Sequence, residues 1–107
     1  FYQDVHRILK PEGVFALQSE SPILMEELFL QIQTTLRKVF KKVHPYFSPV
    51  PIYGAGTWSY TYATDEADAF DIDVSRADQV EAVTKQYNRD VHRGAFAIPN
   101  RYKNLLG

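Results

Sequence analysis

The feature that most constrains this chain is the stretch Gly13-Val14-Phe15-Ala16-Leu17-Gln18-Ser19-Glu20-Ser21-Pro22, in which four consecutive apolar residues pass directly into four polar ones and then into a helix start. An apolar run of that length, bounded by Gly and Pro, predicts a strand covered on both faces, as the parallel strands of α/β proteins are. Ligands of open α/β sheets collect beyond the carboxyl ends of such strands. Gln18, Ser19, Glu20 and Ser21 would then stand at the functional edge of a sheet, or would simply form a polar strand-to-helix turn with Ser21 as the cap.

A single domain of 107 residues can bury roughly 60–68% of the surface its unfolded chain exposes, so a true core is feasible. Twelve basic against thirteen acidic residues argue against nucleic acid or an anionic membrane as the main partner. With no cysteine there is no disulfide scaffold, no thiolate zinc site and no thiol nucleophile. No apolar run approaches the roughly 20 residues that span a bilayer, and no signal peptide opens the chain, so an intracellular protein is expected. The first ten residues read as the second half of a helix, with Phe1, Val5, Ile8 and Leu9 on one face. Such a start, without a Met, suggests a piece of a longer polypeptide, with a partner strand for Val14–Leu17 upstream of Phe1.

After Gln18–Ser21 the pattern predicts the longest helix, about twenty residues, with Ser21 at the N-cap, Pro22 at N1 and Glu26 and Glu27 near the positive end. Met25, Phe29, Ile32, Leu36, Val39 and Phe40 keep helical spacing, and Arg37, Lys38, Lys41 and Lys42 read as a solvated basic end. Val43 to Phe47 is a second strand, closed by Pro49-Val50-Pro51. Thr57 to Thr64 alternates Trp58, Tyr60 and Tyr62 with Ser59, Thr61 and Ala63, a strand antiparallel to its neighbour across the short Tyr53-Gly54-Ala55-Gly56 turn. The acidic run Asp65, Glu66, Asp68, Asp71, Asp73 lacks the glycine and terminal glutamate of a calcium loop and reads as a solvated loop. Ser75 with Asp78 suggests a capped helix reaching Tyr87 with Val80 and Val83 inward, Asn88 a second capped turn, and Asn100 the start of a short terminal helix.

His6, His44 and His92 are too scattered for a metal site, Ser19 and Ser21 lack a nucleophile-elbow setting, and Gly54 and Gly56 are too few to cradle a phosphate. Gln18 and Glu20 at one strand end and Tyr53 and Trp58 about the Pro/Gly-rich turn remain. A carboxylate, an amide, a phenol and aromatic walls suit a small cationic amine, by charge, oriented hydrogen bonds and cation–π attraction. The other reading makes Tyr53 a turn residue packed on the sheet and Trp58 a core residue.

Three stretches carry a family resemblance. Asp4-Val5-His6-Arg7-Ile8-Leu9-Lys10-Pro11-Glu12-Gly13-Val14-Phe15-Ala16-Leu17-Gln18-Ser19-Glu20-Ser21-Pro22 resembles the central C-terminal stretch of spermidine synthases, the polyamine aminopropyltransferases. Pro51-Ile52-Tyr53-Gly54-Ala55-Gly56-Thr57-Trp58-Ser59 is similar to that family's Pro-Thr-Tyr-Pro-Ser-Gly-x-Trp-Ser segment, and Tyr87 to Pro99 to its Tyr-Asn-x-x-x-His-x-Ala-Ala-Phe-x-Leu-Pro ending. The resemblance implies an α/β fold. Residues 1–107 would be a single partial domain, the C-terminal portion of a class I methyltransferase-like (Rossmann-like) sheet, in strand-helix-strand-strand order with an antiparallel hairpin and short terminal helices.

It further implies transfer of an aminopropyl group from decarboxylated S-adenosylmethionine, a co-substrate, to putrescine, giving spermidine and methylthioadenosine. No resident cofactor or metal is implied. Gln18 and Tyr53 would line the acceptor-amine site, Glu20 and Trp58 would neighbour it, and the His92 segment would be structural. The nucleoside-binding motif and the catalytic Asp-x-x-Asp-Pro segment are expected upstream of Phe1, so no catalytic residue falls in this chain and it would be inactive by itself. Gly54-Ala55 replaces the family's Pro-Ser and would loosen the turn that carries Tyr53. A cytoplasmic homo-oligomer acting on a small polyamine, with neither nucleic acid nor membrane as partner, is the expected setting. Two alternatives stand beside this: a non-catalytic assembly piece that pairs through the edge of Val14–Leu17, and a related methyltransferase-fold enzyme with another acceptor.

Overall fold

A computed structural model of the protein describes residues 1–53 and 55–106. The elements are α1 (Tyr2–Ile8), β1 (Val14–Gln18), α2 (Glu26–Arg37), β2 (Lys42–Pro49), β3 (Thr57–Thr64), α3 (Val74–Val83), α4 (Arg89–Ala95) and α5 (Asn100–Leu106). Among the described residues the three strands form one sheet in the order β1-β3-β2. β3 is antiparallel to both neighbours, with Gln18 opposite Tyr60 and Tyr46 opposite Tyr60 from the other side. β1 and β2 therefore point the same way but do not pair; the returning β3 fills the gap between them.

Among the described residues β1 pairs with the antiparallel β3 alone, and it is not covered on both faces as expected. Its residues alternate between exposed and half-buried, because helices cover only one face of the sheet at β1. Phe15 and Leu17 face those helices, while Val14, Ala16 and Gln18 lie open on the other side. Proline in β2 is tolerated because β2 is an edge strand, where the missing N–H of Pro45 costs no ladder bond.

The helix-covered face is packed in two parts. Leu36, Phe40, Val43 and Ala63 form a buried cluster, against which Tyr2, Val5, Leu9, Phe15, Leu17, Ile32 and Val39 pack. Phe29, Phe47 and Tyr102 meet edge-on with centroids 5.3 to 6.0 Å apart and bring α5 onto α2. Phe29 is fully buried, which is worth about 2–3 kcal/mol. Arg101 reinforces the contact by donating to Glu26 at 2.7 and 2.9 Å, and Arg37 donates to the carbonyl of Leu106.

Several local expectations change. Of the predicted α1 face, Val5 and Leu9 pack inward, whereas Phe1 and Ile8 are largely exposed. α2 is shorter than its pattern: Ser21 Oγ accepts from Ile23 N–H and Leu24 N–H, capping a turn, and Met25 (φ −127°, ψ 47°) departs from helical geometry before Glu26 opens the helix. α3 is capped by Asp73, whose carboxylate accepts from Arg76 N–H, rather than by Ser75, and it ends at Val83. Ala77 is its buried residue, while Val80 and Val83, expected to face inward, are exposed. Asn88 caps α4 through Val91 N–H, and α5 begins at Asn100, both as expected. No helix is long and apolar enough to cross a membrane among the described residues.

Candidate functional site

The alternation of β3 sorts its side chains onto two faces with distinct chemistry. Ser59, Thr61 and Ala63 are fully buried beneath α2, and Trp58, Tyr60 and Tyr62 lie on the opposite face, half-buried. Register then places Gln18 of β1 and Tyr46 of β2 on either side of Tyr60, whose ring stacks on Tyr46 at 5.5 Å and 20°. Trp58 closes the row diagonally, donating its indole N–H to Gln18 Oε1 at 3.1 Å.

Tyr53 joins this group from the turn between β2 and β3. Its N–H donates to Val50 C=O at 2.9 Å and its C=O accepts from Gly56 N–H at 3.1 Å, while Val50 N–H reaches Gly56 C=O at 2.8 Å. Gly56 sits at φ +82°, a conformation that favours glycine. The Tyr53 ring then lies 4.6 Å from Trp58, inclined at 54°. The effect of Gly54 on this turn lies outside the described residues; Ala55 is exposed.

Glu20 enters through its backbone. It has φ +74°, the left-handed region, which costs a residue with a Cβ about 1–2 kcal/mol. Its carbonyl accepts two bonds from Ser59, from N–H at 3.0 Å and from Oγ–H at 2.6 Å, and Ser19 N–H returns a bond to Ser59 C=O at 2.9 Å. Gln18, Tyr53 and Trp58 are thus in one connected cluster, and Glu20 is clamped to β3 one residue beyond Trp58. The indole occupies one lone pair of Gln18 Oε1, which has a second.

Beneath the clamp runs a buried polar chain that sequence reasoning missed. Gln33 Nε2 donates to Thr61 Oγ1 at 2.7 Å, Thr61 Oγ1 lies 2.8 Å from Ser19 Oγ, and Ser19 Oγ lies 2.8 Å from Ser59 Oγ. All four residues are completely buried. The signal for it was present in β3, whose small polar residues alternate with the aromatic ones.

A cavity of about 600 Å³ lies apart from this cluster, between β2 and α4, lined by Tyr46, Tyr62, Tyr87, His92 and Phe96 among others; none of the four expected site residues reaches it. Phe96 is its hub, within 5.0 to 6.4 Å of Tyr46, Phe70, His92, Tyr62 and His44. His92 donates Nε2–H to Ala69 C=O at 2.8 Å, so Nδ1 accepts from Tyr87 O–H at 2.9 Å, and the ring ties three segments together. Burial, and then neighbouring Tyr60, raises the Tyr46 phenol above its ordinary value; burial, and then Asp68, does the same for Tyr62.

The acidic run is used locally. Asp65 binds His6 Nε2–H at 2.7 Å and Lys41 N–H at 3.1 Å, and the His6 bond first, then the backbone one, lowers its pKa. Asp68 accepts from Phe70 N–H. Among the described residues no group of three or more His, Asp or Glu is arranged to hold a metal ion. Of the basic end of α2, Lys42 donates to Ala67 C=O at 2.9 Å.

A family model, the spermine/spermidine synthase domain, matches residues 1–75. The chain belongs to this family. Polyamine aminopropyltransferases from Moorella thermoacetica and Prochlorococcus marinus are 35% identical over 106 residues and 37% identical over 109, each alignment covering 99% of this chain and 37% or 38% of the relative. The crystal structure of a spermidine synthase from Thermotoga maritima agrees with a TM-score of 0.92 at 33% identity, over 99% of this chain and 38% of that one. A spermidine synthase in complex with the transition-state analogue AdoDATO gives 0.91 at 34% identity, over 99% and 36%. The chain therefore spans a little over a third of the length of these relatives, and its α/β arrangement is that of the spermidine synthase, methyltransferase-like fold.

Proposed function

We propose that this chain supplies part of the acceptor-amine pocket of an aminopropyltransferase, with Gln18, Tyr53, Trp58 and Glu20 lining or shaping it. The observation that carries the reading is the contiguous cluster Gln18–Trp58–Tyr53, in which Gln18 meets a pair of aromatic residues more than thirty positions further along a chain of this family. In the complete polypeptide, the amine nitrogen of a diamine such as putrescine attacks the carbon bonded to the sulfonium of decarboxylated S-adenosylmethionine. A C–N bond forms, the C–S bond breaks with its electron pair going to sulfur, and the new ammonium sheds a proton.

The attacking nitrogen must arrive unprotonated and in line, and holding the other end of the diamine supplies that alignment. The rings of Tyr53 and Trp58 attract a cationic end, and Gln18 Oε1 accepts from its N–H groups. The base and the nucleoside-binding residues come from outside this chain, which by itself transfers nothing.

The test is Tyr53→Phe in the complete polypeptide. Loss of the phenol is expected to raise KM for the diamine about fivefold, the value of one hydrogen bond, with KM for decarboxylated S-adenosylmethionine unchanged. Unaltered diamine kinetics would remove Tyr53 from the site. A second reading, an assembly piece, draws on β1, which among the described residues pairs along one edge alone. Sedimentation of this chain as a concentration-independent monomer would count against it.

A further inference from the structure

The buried chain beneath the site has a direction, fixed by counting protons. Each hydroxyl has one hydrogen to donate. Ser59 Oγ–H is committed to the Glu20 carbonyl, which can only accept. The hydrogen between Ser19 and Ser59 must therefore come from Ser19, and the one between Thr61 and Ser19 from Thr61. With its own hydrogen spent, Thr61 Oγ1 must accept from the amide of Gln33, which fixes the orientation of that amide. The result is a one-way relay, Gln33 to Thr61 to Ser19 to Ser59 to the carbonyl of Glu20, spanning α2, β3 and the end of β1.

Each hydroxyl in the relay donates its one hydrogen, yet Gln33 Oε1 is buried without a partner. An orphaned buried acceptor destabilises, and an apolar side chain would fill the space on α2 without that penalty. The relay ends on the one non-glycine residue with positive φ among the described residues. Aligned hydrogen bonds strengthen one another in a low-dielectric interior, so the amide at the head reinforces the bond at the tail.

We infer that Gln33 is a positioning residue: through Thr61, Ser19 and Ser59 it holds Glu20 in its left-handed conformation. It thereby fixes Gln18 and Glu20 relative to the Tyr53–Trp58 pair and sets the fit of the site to its amine. This rests on the acceptor-site reading above. Gln33 touches no substrate, and its effect passes through backbone geometry.

The discriminating pair is Thr61→Val and Thr61→Ser in the complete polypeptide. Valine keeps the shape and breaks the relay at its centre; serine keeps the hydroxyl and loses a methyl. Thr61→Val is expected to raise KM for the diamine about tenfold, leave KM for decarboxylated S-adenosylmethionine unchanged, and speed amide exchange at Ser59 N–H. Thr61→Ser is expected to restore both the diamine KM and the slow exchange. Gln33→Leu should match Thr61→Val while folding at least as stably. Equal diamine KM in Thr61→Val and the unaltered enzyme, or equal loss in the valine and serine variants, overturns the positioning role alone. An unaltered enzyme that aminopropylates no diamine overturns the acceptor-site reading, and the positioning role with it.

Discussion

The indole N–H of Trp58 donates to the side-chain oxygen of Gln18 at 3.1 Å, joining the end of β1 to the start of β3 across 40 residues of sequence. This bond couples the aromatic wall to the amide. Trp58→Phe keeps a ring against Tyr53 and removes the donor, so Gln18 is released without loss of the wall. Because both side chains are solvent-accessible, the bond is worth at most about 1 kcal/mol, and diamine KM should rise up to fivefold. Trp58→Ala removes the wall as well and should cost more. Steady-state kinetics on both variants separates the two contributions, and equal losses would mean that the indole N–H orients nothing.

Glu20 separates conformation from charge. Asn adopts the left-handed region more readily than Glu, so Glu20→Asn relieves backbone strain while deleting the carboxylate. The melting temperature is expected to hold or rise, by up to about 1 kcal/mol of stability, while diamine KM increases. A fall in melting temperature would show that the Glu20 side chain has a structural partner beyond its backbone clamp.

Much of the fold was legible because its signals are local. The alternation from Thr57 to Thr64, the Asn88 cap and the helix from Asn100 all follow from spacing and side-chain chemistry within a few residues. The pairing of β1 with β3 was not legible, since it links Val14 to Thr64 and no local pattern encodes a partner 50 residues away. The same holds for the site. The residue types at Gln18, Tyr53 and Trp58 suggested an amine, but their assembly depends on a register that only the folded sheet fixes. Gln33 looked like one more polar position on α2, and its importance lies wholly in meeting Thr61 across the core.

Phe96 is expected to hold α4 and the Phe70 loop to the open face of the sheet. Five aromatic rings from four segments lie within 6.4 Å of its own, so Phe96→Ala should destabilise by about 2–4 kcal/mol. Denaturant unfolding of the complete polypeptide measures this. Diamine kinetics under folding conditions should be nearly unchanged, because none of Gln18, Glu20, Tyr53 and Trp58 lines the Phe96 cavity.

His44 should make stability depend on pH. Its ring lies edge-on to Phe70 at 5.2 Å and to Phe96 at 6.4 Å, and burial there lowers its pKa below the ordinary 6.5, a shift that Asp68 opposes and Arg37 and Lys42 reinforce. Between the lowered folded value and 6.5 the unfolded chain binds more protons than the folded one. The stability associated with neutral His44 is therefore complete above 6.5 and is lost as pH falls from there toward the folded value. The melting temperature should decline as pH falls below 6.5, and His44→Phe, which keeps an aromatic ring in place, should flatten that slope. The depressed Asp65 carboxylate contributes its own loss only at lower pH, below the ordinary carboxylate value, so the two are separable in one titration. An unchanged slope in His44→Phe would assign the decline to another group.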